Sequence, residues 1–199
     1  MIATFPSRKY EIDEYPAIKK HLLSYGFERL EQTGKTYIIN GQKVKARKKT
    51  SNKWFETQDS IKYWNDFFEQ KIVWGNLCLS AQFALADEGL FINAPSPMIV
   101  PGNKYILAVL NSRLGDWYIR QLGVTRNGGY FEYKPMFVEQ LPIPMLSPKD
   151  QAPYISLVDS VLQSKKDKKD SSIAEEEINK LVYSLYKLTK QEIQFIEEA

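Results

Sequence analysis

Cysteine and histidine each occur once in 199 residues, as Cys78 and His21. A single thiol cannot close an internal disulfide, so the chain fits a reducing, cytoplasmic setting. It also rules out a paired-cysteine metal site. His21 falls inside a predicted helix, with no carboxylate, cysteine or second histidine at ligand spacing, and reads as a helix residue rather than a ligand or base. Long apolar runs are missing too. Nothing approaches the roughly 20 residues a membrane helix needs, and no charged start leads into an apolar leader. A soluble chain without a membrane partner is expected.

Catalytic signatures are equally sparse. No glycine-rich cofactor loop follows a strand. The run "GKT" at 34–36 would need a glycine at position 29 to be a P-loop, but Arg29 stands there and a strand follows instead of a helix. "NAPS" at 93–96 lacks the paired prolines and the aromatic with which amino-methyltransferases hold a flipped base. Two acids and a lysine of the kind nucleases gather around a metal do not cluster. We assign no catalytic residue, no metal site and no cofactor to this chain.

What is present is an ordinary folding chain. At 43% hydrophobic and 26% charged residues it can bury a core, and its 13% aromatics leave rings to spare for a surface. "IATF" at 2–5 suggests a short strand. Tyr15-Pro16 opens a helix through Ile18, Leu22 and Leu23 that Gly26 ends. Asn40-Gly41 favours a two-residue type I′ turn, predicting a hairpin with arms near 36–39 and 42–46. "SIKYWNDFFEQ" reads as a short helix, "KIVW" as a buried strand, "QFALADEGLFIN" as a second hairpin turning at 87–89, and "PMIV" as a strand. Asn103 caps a helix running to about Leu122, and a strand follows over 130–134. The proline-rich "LPIPMLSP" then leads to helices over 150–164 and 172–188, with capping boxes at Ser172/Glu175 and Thr189/Glu192. The expected class is α+β: a mixed α/β body over 1–147 with hairpins, then a helical hairpin over 148–199.

One charge run stands out. In "KVKARKKTSNK", from Lys43 to Lys53, six of eleven residues are basic and none is acidic. A solvated hairpin arm would account for it, as for most charge runs. The alternative is a segment that tracks phosphates: it issues from a hairpin, mixes cations with Thr50, Ser51 and Asn52, and ends on Trp54-Phe55. The run Lys165–Lys169, interrupted by Asp167, reads as a solvated loop between helices.

The order of motifs carries further information. "KWFETQDSIKYW", "KIVW", "FALADEGLFIN", "YILAVLNSRLGDWYIRQL", "RNGGYFEYKPMFVEQLPIP" and "INKLVYSLYKLTKQEIQFIEE" follow one another as in the TaqI-like C-terminal specificity domain, which the chain resembles over nearly its whole length. "IATFPS" and "YPAIKKHLLSY" are similar to the segment leading into that domain, and the likeness is weakest over "GKTYIINGQKVK". The resemblance implies the target-recognition domain of a type IIG restriction–modification enzyme or a related adenine-specific DNA methyltransferase. It further implies that methyl transfer with S-adenosylmethionine, and Mg-dependent cleavage, reside elsewhere in a parent enzyme. The chain, as a fragment or separate subunit, would then choose the double-stranded DNA sequence and catalyse nothing itself.

On that reading Lys43, Lys45, Arg47, Lys48, Lys49 and Lys53 hold phosphates. Arg126 either forks onto a guanine or pairs with a neighbouring strand. Asn52 and Asn127 read adenine or cap turns. Gly128-Gly129 allow close backbone approach to DNA or supply positive φ. Tyr63, Trp64, Phe67, Trp74, Trp117 and Tyr118 sit in periodic segments, belong mostly to the core and are given no site role. The C-terminal helices cover the body or dock on the parent methyltransferase. A competing reading is a protein-interaction or scaffold domain of a phage-defence complex that touches no DNA itself.

Overall fold

The computed structural model describes residues 2–199. The chain forms two compact units, one ending at Tyr63 and one beginning at Trp64. The expected boundary at Ser147 falls inside the second unit, where Ser147 is the N-cap of a long helix.

In the first unit, helix α1 (Pro16–Leu23) begins with proline at its first turn, where the missing N–H costs nothing. Gly26, at φ 92°, turns the chain into the single-turn helix α2 (Phe27–Leu30). Strands β1 (Thr36–Ile39) and β2 (Gln42–Lys45) form the expected hairpin, with Ile39 opposite Gln42 and Thr36 opposite Lys45. Asn40 (φ 49°) and Gly41 (φ 76°) both take the left-handed conformation that a type I′ turn demands. Bonds from Ala46 N to Lys35 O and from Gly34 N to Arg47 O, each 2.9 Å, carry the pairing below the strands.

Phe5, Ile12, Ala46 and Phe55 form the buried apolar centre of this unit. "IATF" does not become a strand. Thr4 instead makes two isolated bonds, from its Oγ1 to Phe55 O at 2.7 Å and to its carbonyl from Thr57 N at 2.9 Å. Buried Gln32 ties the same region together, donating to Lys53 O and Glu56 O and accepting from Thr50 Oγ1 at 2.6 Å.

The second unit holds two small antiparallel sheets. Strands β3 (Lys71–Val73), β5 (Ala84–Ala86) and β6 (Met98–Ile99) lie in the order β5-β3-β6. Strands β4 (Leu77–Cys78), β7 (Thr125–Arg126) and β8 (Tyr130–Glu132) lie in the order β4-β8-β7. "SIKYWNDFFEQ" is reduced to a 3₁₀ turn over Trp64–Phe68. The second predicted hairpin keeps only its first arm, β5. Phe91 in the would-be return arm packs on Trp64 and Phe67, with ring centroids 5.0 Å from each, rather than pairing with β5.

The helix expected over 103–122 is two helices, α3 (Lys104–Asn111) and α4 (Arg113–Leu122). Asn103 caps the first as expected. The break lies at Ser112, whose backbone is extended and whose Oγ both donates to Val109 O and accepts from Gly115 N. One hydroxyl thus closes one helix and caps the next. After the short α5 (Pro135–Val138) come α6 (Pro148–Lys166), α7 (Ser172–Leu185) and α8 (Lys190–Glu197).

The capping box at Thr189/Glu192 is present. The one expected at Ser172/Glu175 is not: Ser172 is already helical, its N–H bonds Asp170 Oδ1 at 3.0 Å, and Glu175 accepts from Ser171 Oγ instead. Val158, Ile178 and Val182 of α6 and α7 share one core with Ile72, Leu110 and Ile119, and Tyr154 meets Tyr105 edge-on at 5.1 Å. The C-terminal helices are therefore built into the second unit, and the class is α+β.

Candidate nucleic-acid interface

Charge divides unevenly between the units. Residues 1–63 carry 13 lysines and arginines against 7 acids, and residues 64–199 carry 14 against 17. The basic run from Lys43 to Lys53 supplies much of the first unit's excess. The hairpin register decides where its cations point. Successive side chains of a strand alternate between faces, and directly paired residues share one. Thr36, Ile38, Lys43 and Lys45 therefore lie on one face, and all four are exposed. Tyr37, Ile39 and Val44 on the other face are half-buried, and the Tyr37 hydroxyl donates to the Glu31 carboxylate. Lys48 and Lys49 follow, also exposed. Among the described residues, Lys43, Lys45, Lys48 and Lys49 form no ion pair.

Arg47 is placed differently. Its guanidinium donates to Leu30 O at 2.8 Å, to Glu56 O at 2.9 Å and to Trp54 O. Partial burial lowers its pKa from the ordinary arginine value. It clamps the hairpin root and has little left to offer a phosphate. Lys53 bonds Glu11 Oε1 at 2.8 Å, which raises its pKa, and its ammonium lies 5.6 Å from the centre of the Phe55 ring. Asn52 donates its side-chain amide to Thr57 O and Gln58 O, at 2.9 and 3.2 Å, as a residue that holds a turn does.

The second group sits on the β7–β8 turn of the other unit. Arg126 pairs with Tyr130 across the strands, and Asn127, Gly128 and Gly129 form the tip. Both glycines have positive φ, 81° and 78°. A Cβ on Gly129 would meet nothing within 4 Å, so it is the backbone conformation, not crowding, that calls for glycine there. The Arg126 guanidinium binds Glu132, whose side chain is 4% exposed and also accepts from Lys134 at 2.9 Å. Lys134 first, and Arg126 next, hold the Glu132 carboxyl below its usual range. Asn127 is exposed, with no hydrogen-bond partner among the described residues.

Four lysines of the basic run and Asn127 thus remain available, while Arg47, Lys53, Asn52 and Arg126 have protein partners. Sequence reasoning passed over Thr36 and Ile38, although the Asn40-Gly41 turn already sets the register that puts them beside Lys45 and Lys43.

Among the described residues no three histidine, cysteine or acidic side chains gather as metal ligands, and no helix is long and apolar enough to cross a membrane. No curated protein matches the chain. Residues 17–143, from the first turn of α1 to just beyond α5, match the TaqI-like C-terminal specificity domain, and the chain belongs to that family.

Proposed function

We propose that this chain selects the double-stranded DNA sequence on which a restriction–modification enzyme acts, and performs no reaction itself. The observation that carries the reading is the set of exposed lysines, Lys43, Lys45, Lys48 and Lys49, that form no ion pair among the described residues, in a specificity-domain family. Phosphate contacts fix register, and side chains meeting base edges then choose the sequence. The parent is a type IIG enzyme or related methyltransferase in the cytoplasm, active in phage defence. Its other regions transfer a methyl group from S-adenosylmethionine to adenine and cleave DNA with Mg. Ile173 and Phe195 of the C-terminal helices, 81% and 64% exposed, are suited to contact with such a region.

The test is binding of the 199-residue chain to duplex DNA as salt rises. Neutralising about four phosphates predicts a loss of roughly a hundredfold in affinity between 50 and 200 mM salt. Replacing all four lysines by alanine flattens the log–log salt slope by about three to four. A folded chain that binds no duplex at low salt would overturn the proposal and favour a protein-interaction domain.

A further inference from the structure

We infer that the exposed face of the β1–β2 hairpin is the base-reading ribbon, and that Ile38 senses the 5-methyl group of a thymine in the major groove. This rests on the duplex-recognition reading above and adds to it the element that enters the groove and the residue that discriminates. The major groove is about 12 Å wide and admits a two-stranded ribbon. Two paired strands lie about 4.8 Å apart, and arms of four residues extend roughly 14 Å, so the hairpin fits lengthwise.

Ile38 occupies the middle of the face, directly opposite Lys43, and is 66% exposed. The side chains on this face differ in reach. With this face laid toward the base edges, the long, flexible stems of Lys43 and Lys45 can turn aside to the phosphate walls, whereas the short Ile38 and Thr36 stay under the ribbon and face the groove floor. There the thymine C5-methyl is the one apolar group among the four bases, and an aliphatic side chain is its natural contact. The ribbon's aim is set beforehand. Its inner face is half-buried, Tyr37 is tied to Glu31, and Arg47 locks the root to three carbonyls. A preorganised ribbon pays little ordering entropy on binding.

Strand propensity alone would also favour a β-branched residue at position 38, so the test keeps branching constant. Wild type and Ile38→Thr are each used to select from a random duplex pool, with circular dichroism confirming the fold. Wild type should enrich a motif with a fixed T·A pair. Deoxyuridine at that thymine, which lacks only the methyl, should weaken wild type about fourfold, the worth of one buried methyl-sized group. Ile38→Thr keeps one methyl but puts a hydroxyl in place of the longer branch, so it should reduce that preference, keep the rest of the motif, and narrow the gap between the thymine and deoxyuridine duplexes. A separate arm places 5-methylcytosine, which carries the same methyl, at the enriched position; binding tighter than thymine there overturns the thymine assignment. Equal wild-type affinity for thymine and deoxyuridine, or uniform weakening by Ile38→Thr across all sequences, overturns the inference. It leaves duplex recognition standing if the four-lysine variant still loses its salt slope. No duplex binding by wild type overturns both.

Discussion

The Arg126 guanidinium turns back onto the carboxylate of Glu132, the last residue of β8, with Nε 2.7 Å from Oε1. The side chain that looked most suited to reading guanine is committed to closing its own turn. Arg126→Ala should therefore lower the thermal midpoint and leave the selected DNA motif unchanged. The acid limb should move as well. The Glu132 carboxyl is held below its ordinary value of 4.5, so its contribution is present above that pH and is lost as pH falls through the lowered folded value. Without Arg126 the folded value moves back toward the ordinary one, so the loss on acidification is smaller and is complete at a higher pH. Thermal melts from pH 3 to 7 measure this, and relaxation at one base position would return Arg126 to the interface.

Arg47 and Lys48 are neighbours in the basic run with opposite duties. Arg47→Ala strands the carbonyls of Leu30 and Trp54, leaves Glu56 O with Gln32 as its remaining donor, and should cost about 2–4 kcal/mol in urea unfolding. Lys48→Ala should leave the unfolding midpoint in place and weaken binding to all duplexes alike. A matched pair of urea and binding titrations separates the two effects.

Gly115→Ala tests the break between α3 and α4. A Cβ there would lie 2.3 Å from Val109 O and 3.1 Å from Leu110 O, inside van der Waals contact with backbone that cannot swing away. A loss of about 3 kcal/mol is expected. Ser112→Ala removes the cap on Gly115 N and should cost about 1 kcal/mol. Both are read by chemical denaturation.

The alkaline limit should be set by two buried tyrosines, Tyr133 and Tyr183, and the half-buried Tyr186. Burial first, and then the hydrogen bonds to Asp116 and Glu197, raise the hydroxyls of Tyr133 and Tyr183. Burial, with Tyr105 and Tyr154 nearby, pushes Tyr186 up to about 12. A group whose folded pKa is raised stabilises fully below its unfolded value, near 10 for tyrosine, and the contribution drains away as pH climbs through the folded value. Stability should thus fall between about pH 10 and 12. Tyrosinate absorbance should show these three ionising together with unfolding. Tyr186→Phe should shallow the slope.

The parts of the fold that were legible in the sequence are those settled by a few adjacent residues. Asn40-Gly41 specified a hairpin because both positions need positive φ, and the Thr189/Glu192 box marked a helix start by mutual bonds one turn apart. What failed to read through depended on distant partners. The apolar spacing from Leu107 to Tyr118 continues across Ser112, so periodicity alone could not reveal a break that α7 helps to hold, with Asn179 Oδ1 accepting from Arg113 N at 2.9 Å. Phe91 looked like a strand residue until its ring contacts were known.

The site followed the same rule. The cationic run was plain, but separating Arg47 and Lys53, which have partners, from Lys43, Lys45, Lys48 and Lys49 required the positions of Leu30, Glu11, Trp54 and Glu56.

The hairpin's attachment has an evolutionary corollary. It is held by Arg47, by the bonds below its strands and by its inner face, and none of these depends on Thr36, Ile38, Lys43 or Lys45. Substitutions on the outer face change what the ribbon meets without disturbing what keeps it upright. A lineage under pressure to alter its target could revise these four positions one at a time while the framework stays intact, much as a stamp is recut while its handle is kept.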